Sequence, residues 1–163
     1  MPKGVVYKCV FRMTNGSLIS ISTWYSRWET EYVPGQWTEA KMKGTGLFVF
    51  ESLETALRFL GLSVFESTEA ALKLLDDEYA DQGAGPQVWV AEAEGLRPPP
   101  GGRIPHMLMH SSYNTWEKYW QSDPGTLAGM RLNDAPAGTL VADRVKLVER
   151  MRWANDRDIR QLR

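Results

Sequence analysis

The chain has 163 residues, 43% hydrophobic and 24% charged, with 19 basic against 20 acidic side chains and a formal net charge of −1. This composition excludes a disordered or fibrous chain and fits a single domain over 1–163 with one core. The balanced charge supplies no global positive field, so nucleic acid is not an expected partner, and the single cysteine, Cys9, excludes an intramolecular disulfide or a cysteine-based zinc site.

Met1-Pro2-Lys3-Gly4 leads straight into a strand pattern, and no run reaches the ~20 apolar residues of a membrane span. A cytoplasmic protein with no membrane partner is expected. Val5 to Met13 is rich in β-branched and aromatic residues, and Leu18 to Ile21 repeats that character after Thr14-Asn15-Gly16-Ser17. Asn-Gly between two such runs predicts a hairpin with a type I′ turn, because both residues tolerate positive φ.

Ser22 to Lys43 has little periodicity. Pro34-Gly35 predicts a turn, and short strands are expected near Trp37 to Lys41. Trp24, Trp28 and Trp37 stand here with Tyr25 and Tyr32 among polar residues, where aromatics line clefts or contact surfaces. Arg27, Lys41 or Lys43 would meet a phosphate. Trp89 and Trp120 are read as core packing.

The clearest organisational feature is a tandem repeat over 46–75. Gly46-Leu-Phe-Val-Phe-Glu-Ser-Leu-Glu-Thr-Ala-Leu-Arg-Phe-Leu60 is followed at once by Gly61-Leu-Ser-Val-Phe-Glu-Ser-Thr-Glu-Ala-Ala-Leu-Lys-Leu-Leu75. Each copy predicts a short strand, a Ser N-cap (Ser52, Ser67), a Glu in the first turn and a helix, the second helix being the longer. Two copies are too few for a solenoid, so a duplicated strand–helix unit within one domain is expected.

Gln87 to Glu94 predicts a strand, Ser112 to Gln121 a helix, and Leu127 to Leu132 and Thr139 to Leu147 closing strands; a helix over 142–153 is the alternative for the last segment. From Arg150 to Arg163 the chain is Arg-rich, as in a solvated terminal helix or frayed tail. This order suits an α+β fold, a mixed and mainly antiparallel sheet, split or half-barrel, with helices packed on it.

Strong catalytic motifs are lacking. His106 and His110 are spaced i, i+4, but with no carboxylate or thiol nearby in sequence and Met residues that suggest packing, one His reads as an ordinary hydrogen-bonding or catalytic residue, and no metal is expected. Asp76, Asp77, Glu78 and Asp81 read as a solvated helix end.

Three pieces together resemble the front half of the ADP-ribosyltransferase-like fold, including its RES-type relatives. They are Lys8 or Arg12 on the first strand, Ser20-Ile21-Ser22-Thr23 on the second, and Gly46-Leu47-Phe48-Val49-Phe50 leading into a helix with Ala56. The resemblance spans residues 5–60, and the chain is also similar in general character to small bacteriophage accessory proteins. It implies an NAD cleft in which a basic residue contacts NAD, a Ser/Thr or Tyr position contacts the nicotinamide side and a late Glu polarises the ribose. Arg12, Ser20 and Ser22 then take cleft positions. Phe48 and Phe50 stand where some members carry Tyr, and Glu92, Glu94 and Glu149 lie in no distinctive motif; these departures bear on transferase activity more than on fold.

The functional expectation is a non-enzymatic pocket protein for a nucleotide-like or NAD-derived small molecule, NAD or an ADP-ribose derivative. Arg12, Ser20, Ser22, Trp24, Trp28, Tyr32 and Trp37 would bind it. In a bacteriophage such a protein would act in anti-defence, sequestering a host immune signal in the host cytoplasm. The alternatives are an NAD-dependent ADP-ribosyltransferase-like enzyme and a protein-interaction module, or homo-oligomer, joined through its aromatics.

Overall fold

A computed structural model of the protein describes residues 3–21, 30–40, 45–62, 67–80, 83–105, 119–120 and 132–152. Its centre is a pair of ten-residue strands, β1 (Lys3–Arg12) and β6 (Gly85–Glu94), antiparallel in unbroken register from Lys3 opposite Glu94 to Arg12 opposite Gly85. Along the other edge of β1, Val10–Arg12 pair with β2 (Leu18–Ser20), whereas Tyr7 pairs with Phe50 of β5 (Leu47–Phe50). The edge is thus forked. One arm continues from β2 to β3 (Glu31–Tyr32), the other from β5 to β9 (Thr139–Ala142).

On the far side of β6 lie β10 (Arg144–Arg150) and β4 (Trp37–Glu39), completing eight strands. Every pairing among the described residues is antiparallel. A small second sheet pairs β7 (Arg103–Pro105) with β8 (Leu132–Asp134). The α+β architecture expected from the sequence is therefore the observed one, and Arg144–Arg150 is strand rather than helix, set off from Thr139–Ala142 by a bend at Asp143.

Strands β3 and β4 are the two ends of this path, yet only Val33 to Gln36 separate them in the chain. Four residues cannot reach across a flat six-strand sheet, in which strands stand ~4.8 Å apart. The sheet must roll until its edges approach. The connecting turn is the expected Pro34-Gly35: the amide of Gln36 donates to the carbonyl of Val33 at 3.1 Å, and Gly35 supplies the positive φ (81°) that position three of a type II turn needs. The Gly35 amide then donates to Leu147 of β10, pinning the turn to the opposite edge. Inside the roll, Val6, Val10, Leu18, Tyr32, Val49, Val145, Leu147 and others form one buried cluster.

Among the described residues, the outer face is covered by two helices, α1 (Leu53–Phe59) and α2 (Thr68–Ala80). Leu53, Ala56 and Leu57 of α1 and Ala71, Leu72 and Leu75 of α2 pack against Cys9, Phe50 and Val88. The repeat explains why both helices use the same face: Ala56 and Leu57 correspond to Ala71 and Leu72. Both predicted caps are present, with Ser52 Oγ accepting from the Thr55 amide and Ser67 Oγ from the Ala70 amide. The strand expected at the start of the second copy falls on 63–66, outside the described residues, as do 112–118 of the predicted third helix, 127–131 of a closing strand and the tail from 153.

The first hairpin differs in its turn. The Gly16 amide donates to Met13, so Thr14-Asn15 form the centre of the turn and Gly16 (φ 91°) follows it as a bulge residue. Asn15 favours this arrangement because its Oδ1 accepts the Ser17 amide at 2.9 Å.

Candidate functional site

Directly opposed residues of an antiparallel pair project from the same side of the sheet. Register alone therefore sorts the end of the roll into rows. Tyr32, Leu18, Arg12 and Gly85 form one; Ser20, Val10 and Gln87 the next; Lys8, Trp89 and Arg150 the third. Arg150 reaches this inner face through a β-bulge. Leu147 faces inward, Val148 is the extra residue, and pairing resumes with Glu149 opposite Val90 and Arg150 opposite Trp89.

Beside Val33-Pro34 these rows open into a groove of about 460 Å³, walled by Arg12, Tyr32, Trp89, Arg150 and Arg152. That volume is in the range of small-molecule sites, and the mouth of a rolled sheet is a common place for one. A side cleft of about 150 Å³ continues between Arg12, Gln87 and Arg150 to the Gly83–Pro86 loop.

The groove is rich in donors. Arg12 Nη1 donates to the Gly83 carbonyl at 2.6 Å, and Arg12 has no carboxylate partner among the described residues. Arg150 Nη2 stands 3.4 Å from Asp76 Oδ1, a long contact, and its Nε is buried with no hydrogen-bond partner among the described residues. Burial lowers the pKa of Arg150 from its usual value, partly offset by Asp76, while Arg152 and Arg12 lower it further. Gln87 is 6% exposed, and its Oε1 accepts from the Trp89 indole at 3.0 Å. An indole N–H can only donate, so the amide oxygen must face it and the NH₂ is the end left over. Glu31, at the rim, is the one carboxylate lining the groove among the described residues.

Of the residues expected to bind ligand, Arg12 and Tyr32 share this groove. Ser20 lies on the same face but is buried behind it, its Oγ accepting from the Thr30 amide at 3.1 Å. Trp37 is elsewhere. It opposes Lys146 on the outer face, with the Arg144 guanidinium 4.4 Å and the Lys146 ammonium 5.2 Å from its ring centroid. Those cations also pair with Glu94 and Glu92, so the two glutamates belong to a surface ladder outside the roll, and Glu149 is exposed opposite Val90. Ser22, Trp24 and Trp28, with Arg27, Lys41 and Lys43, lie outside the described residues, as do His106 and His110. Among the described residues no group of three or more His, Cys, Asp or Glu side chains could hold a metal.

Four contributors escaped the sequence reading. Trp89, expected in the core, does pack against the buried cluster and walls the groove as well; Arg150 and Arg152 were assigned to a solvated tail; Gln87 was read only as part of a strand. For Gln87 and Trp89 the signal exists: they alternate with the apolar Val88 and Val90, so they face the other side of the strand. For Arg150 it does not, because a bulge reverses the alternation.

Beneath the groove, Lys8 is 5% exposed. Its Nζ donates to the Phe48 carbonyl at 2.7 Å and lies 5.2 Å from the Tyr32 ring centroid. Burial lowers its pKa to about 8, against a small opposing effect of Cys9, whose own thiol burial pushes up to about 12. The Tyr32 hydroxyl is buried without a hydrogen-bond partner among the described residues, and its pKa is raised by that burial.

Comparison with protein-family models, with curated proteins and with solved structures finds no match for this chain.

Proposed function

We propose that the protein is a small-molecule binder whose groove at the mouth of the rolled sheet takes an anionic, planar, nucleotide-like ligand. The observation that carries this reading is the convergence of Arg12, Arg150 and Arg152 on one groove beside Trp89, with Asp76 the only carboxylate within 4 Å of any of them among the described residues. A chain of net charge −1 thus concentrates positive potential at one concave place. Guanidinium forks suit phosphate, and an indole face stacks a base, worth ~1–3 kcal/mol in nucleic-acid systems. NAD, ADP-ribose derivatives and cyclic nucleotides all meet this description. Binding without turnover would suit a bacteriophage factor that sequesters a host immune signal.

Thermal-shift titration with NAD, ADP-ribose, cyclic nucleotides and nucleoside monophosphates tests the proposal. At least one should raise the melting temperature, and Arg12→Ala should remove most of that rise. A flat response to every compound rejects the reading.

A further inference from the structure

The donors in the side cleft share one property: none can accept a hydrogen bond. Arg12 keeps the guanidinium donors that Gly83 does not use, Arg150 keeps a buried Nε, and Gln87 keeps its NH₂. Three donor groups from three neighbouring strands, one of them nine-tenths buried, suit a group made only of acceptor oxygens. Among the described residues the cleft offers a base no aromatic face to stack on, whereas the main groove has Trp89.

We propose that the cleft between Arg12 and Arg150 seats the phosphate of the ligand, and that Asp76 is the internal carboxylate competing with that phosphate for Arg150. This rests on the reading of the groove as a small-molecule site and adds to it the orientation of the ligand: phosphate inward toward the Gly83–Pro86 loop, base outward against Trp89. The 3.4 Å contact from Arg150 to Asp76 is weak enough to be exchanged for a dianion. Asp76 therefore sets a charge threshold. A phosphate monoester outcompetes it, and a neutral nucleoside leaves the ion pair in place.

Calorimetric titration of the full chain with the common nucleosides, their 5′-monophosphates and inorganic phosphate tests this. Monophosphates should bind at least about tenfold more tightly than the matching nucleosides. Arg12→Gln and Arg150→Gln should each lower monophosphate affinity about tenfold or more, and nucleoside affinity by a clearly smaller factor. Asp76→Asn should raise monophosphate affinity several-fold. In the unmodified protein, which needs no variant to fold, raising salt from ~50 to ~500 mM should weaken monophosphate binding and spare nucleoside binding. Equal affinity for nucleosides and monophosphates leaves the groove standing and overturns the phosphate seat. Weaker monophosphate binding by a folded Asp76→Asn protein overturns the competing role of Asp76. Binding of none of the probes overturns both the seat and the groove on which it rests.

Discussion

Lys8 shows how one side chain can be placed by topology rather than by pattern. In sequence it is a polar residue inside an alternating strand, and the resemblance to the ADP-ribosyltransferase-like fold offered it as a ligand contact. In the fold it sits inside the roll, and its ammonium meets the Phe48 carbonyl across the fork. Desolvation lowers its pKa from 10.5 to about 8, which corresponds to about 3 kcal/mol by which burial disfavours the charged amine. The sign follows from proton counting. Between about pH 8 and 10.5 the unfolded amine keeps its proton and the folded one releases it, so this group makes stability rise with pH through that window. Above pH 9 the raised thiol of Cys9 opposes it, because there the unfolded chain is the one that loses a proton. The stability of the unmodified protein minus that of Lys8→Met isolates the lysine. Urea melts should show this difference climbing from pH 8 toward pH 10.5, and a difference flat with pH would mean that the amine is hydrated.

The duplicated unit shows what sequence identity does and does not carry at the scale of an element. Both Ser caps and both apolar helix faces were legible, because they depend on neighbours within a few residues. The two leading glycines look equivalent and are not. Gly46 lies against its partner strand: an added Cβ would stand 2.1 Å from Val141 Cγ1. Gly61 closes α1, with φ 78° and open space around it; its amide donates to Arg58, and the Leu62 amide reaches back to Leu57. Gly46→Ala should therefore destabilise by ~1–3 kcal/mol through overpacking, and Gly61→Ala by about 1 kcal/mol through backbone strain. Asn tolerates the left-handed region, so Gly61→Asn should recover much of that loss and Gly46→Asn none. Denaturant midpoints of the four variants check this, and equal recovery at both positions would refute the division of roles.

At the scale of the whole molecule, the fold class was readable because hairpin, helix and strand signals are local. The site was only partly readable. Arg12 and Tyr32, expected at a ligand site, line the groove, but they meet Gln87, Trp89 and Arg150 only because β6 returns to β1 and β10 to β6 after long excursions, and because Val148 shifts the phase of its strand. Trp37 was grouped with Tyr32 by closeness in the chain, yet the intervening turn carries it to the opposite edge and the outer face. A rolled sheet puts near neighbours in sequence on different surfaces and distant ones in the same row.

The fork in β1 also divides the molecule in time. The β5–β9 arm joins β1 through a single residue pair, Tyr7 with Phe50, whereas β1 and β6 are laced along ten. Besides that pair, opening the arm breaks the short bridge between Arg97 and Val141 and leaves the central ladder intact, so its amides belong to a cooperative unit of lower stability than the central strands. Native-state hydrogen exchange should show the amides of 47–50 and 139–142 exchanging as a group, ahead of those in β1 and β6. Uniform protection across both sets would mean that the arm opens only when the whole protein does. The Lys8 amine, bonded to Phe48 at the base of the arm, couples that opening to pH: opening hydrates it, so between about pH 8 and 10.5, where the buried amine is neutral and a hydrated one still charged, rising pH should make the arm harder to open.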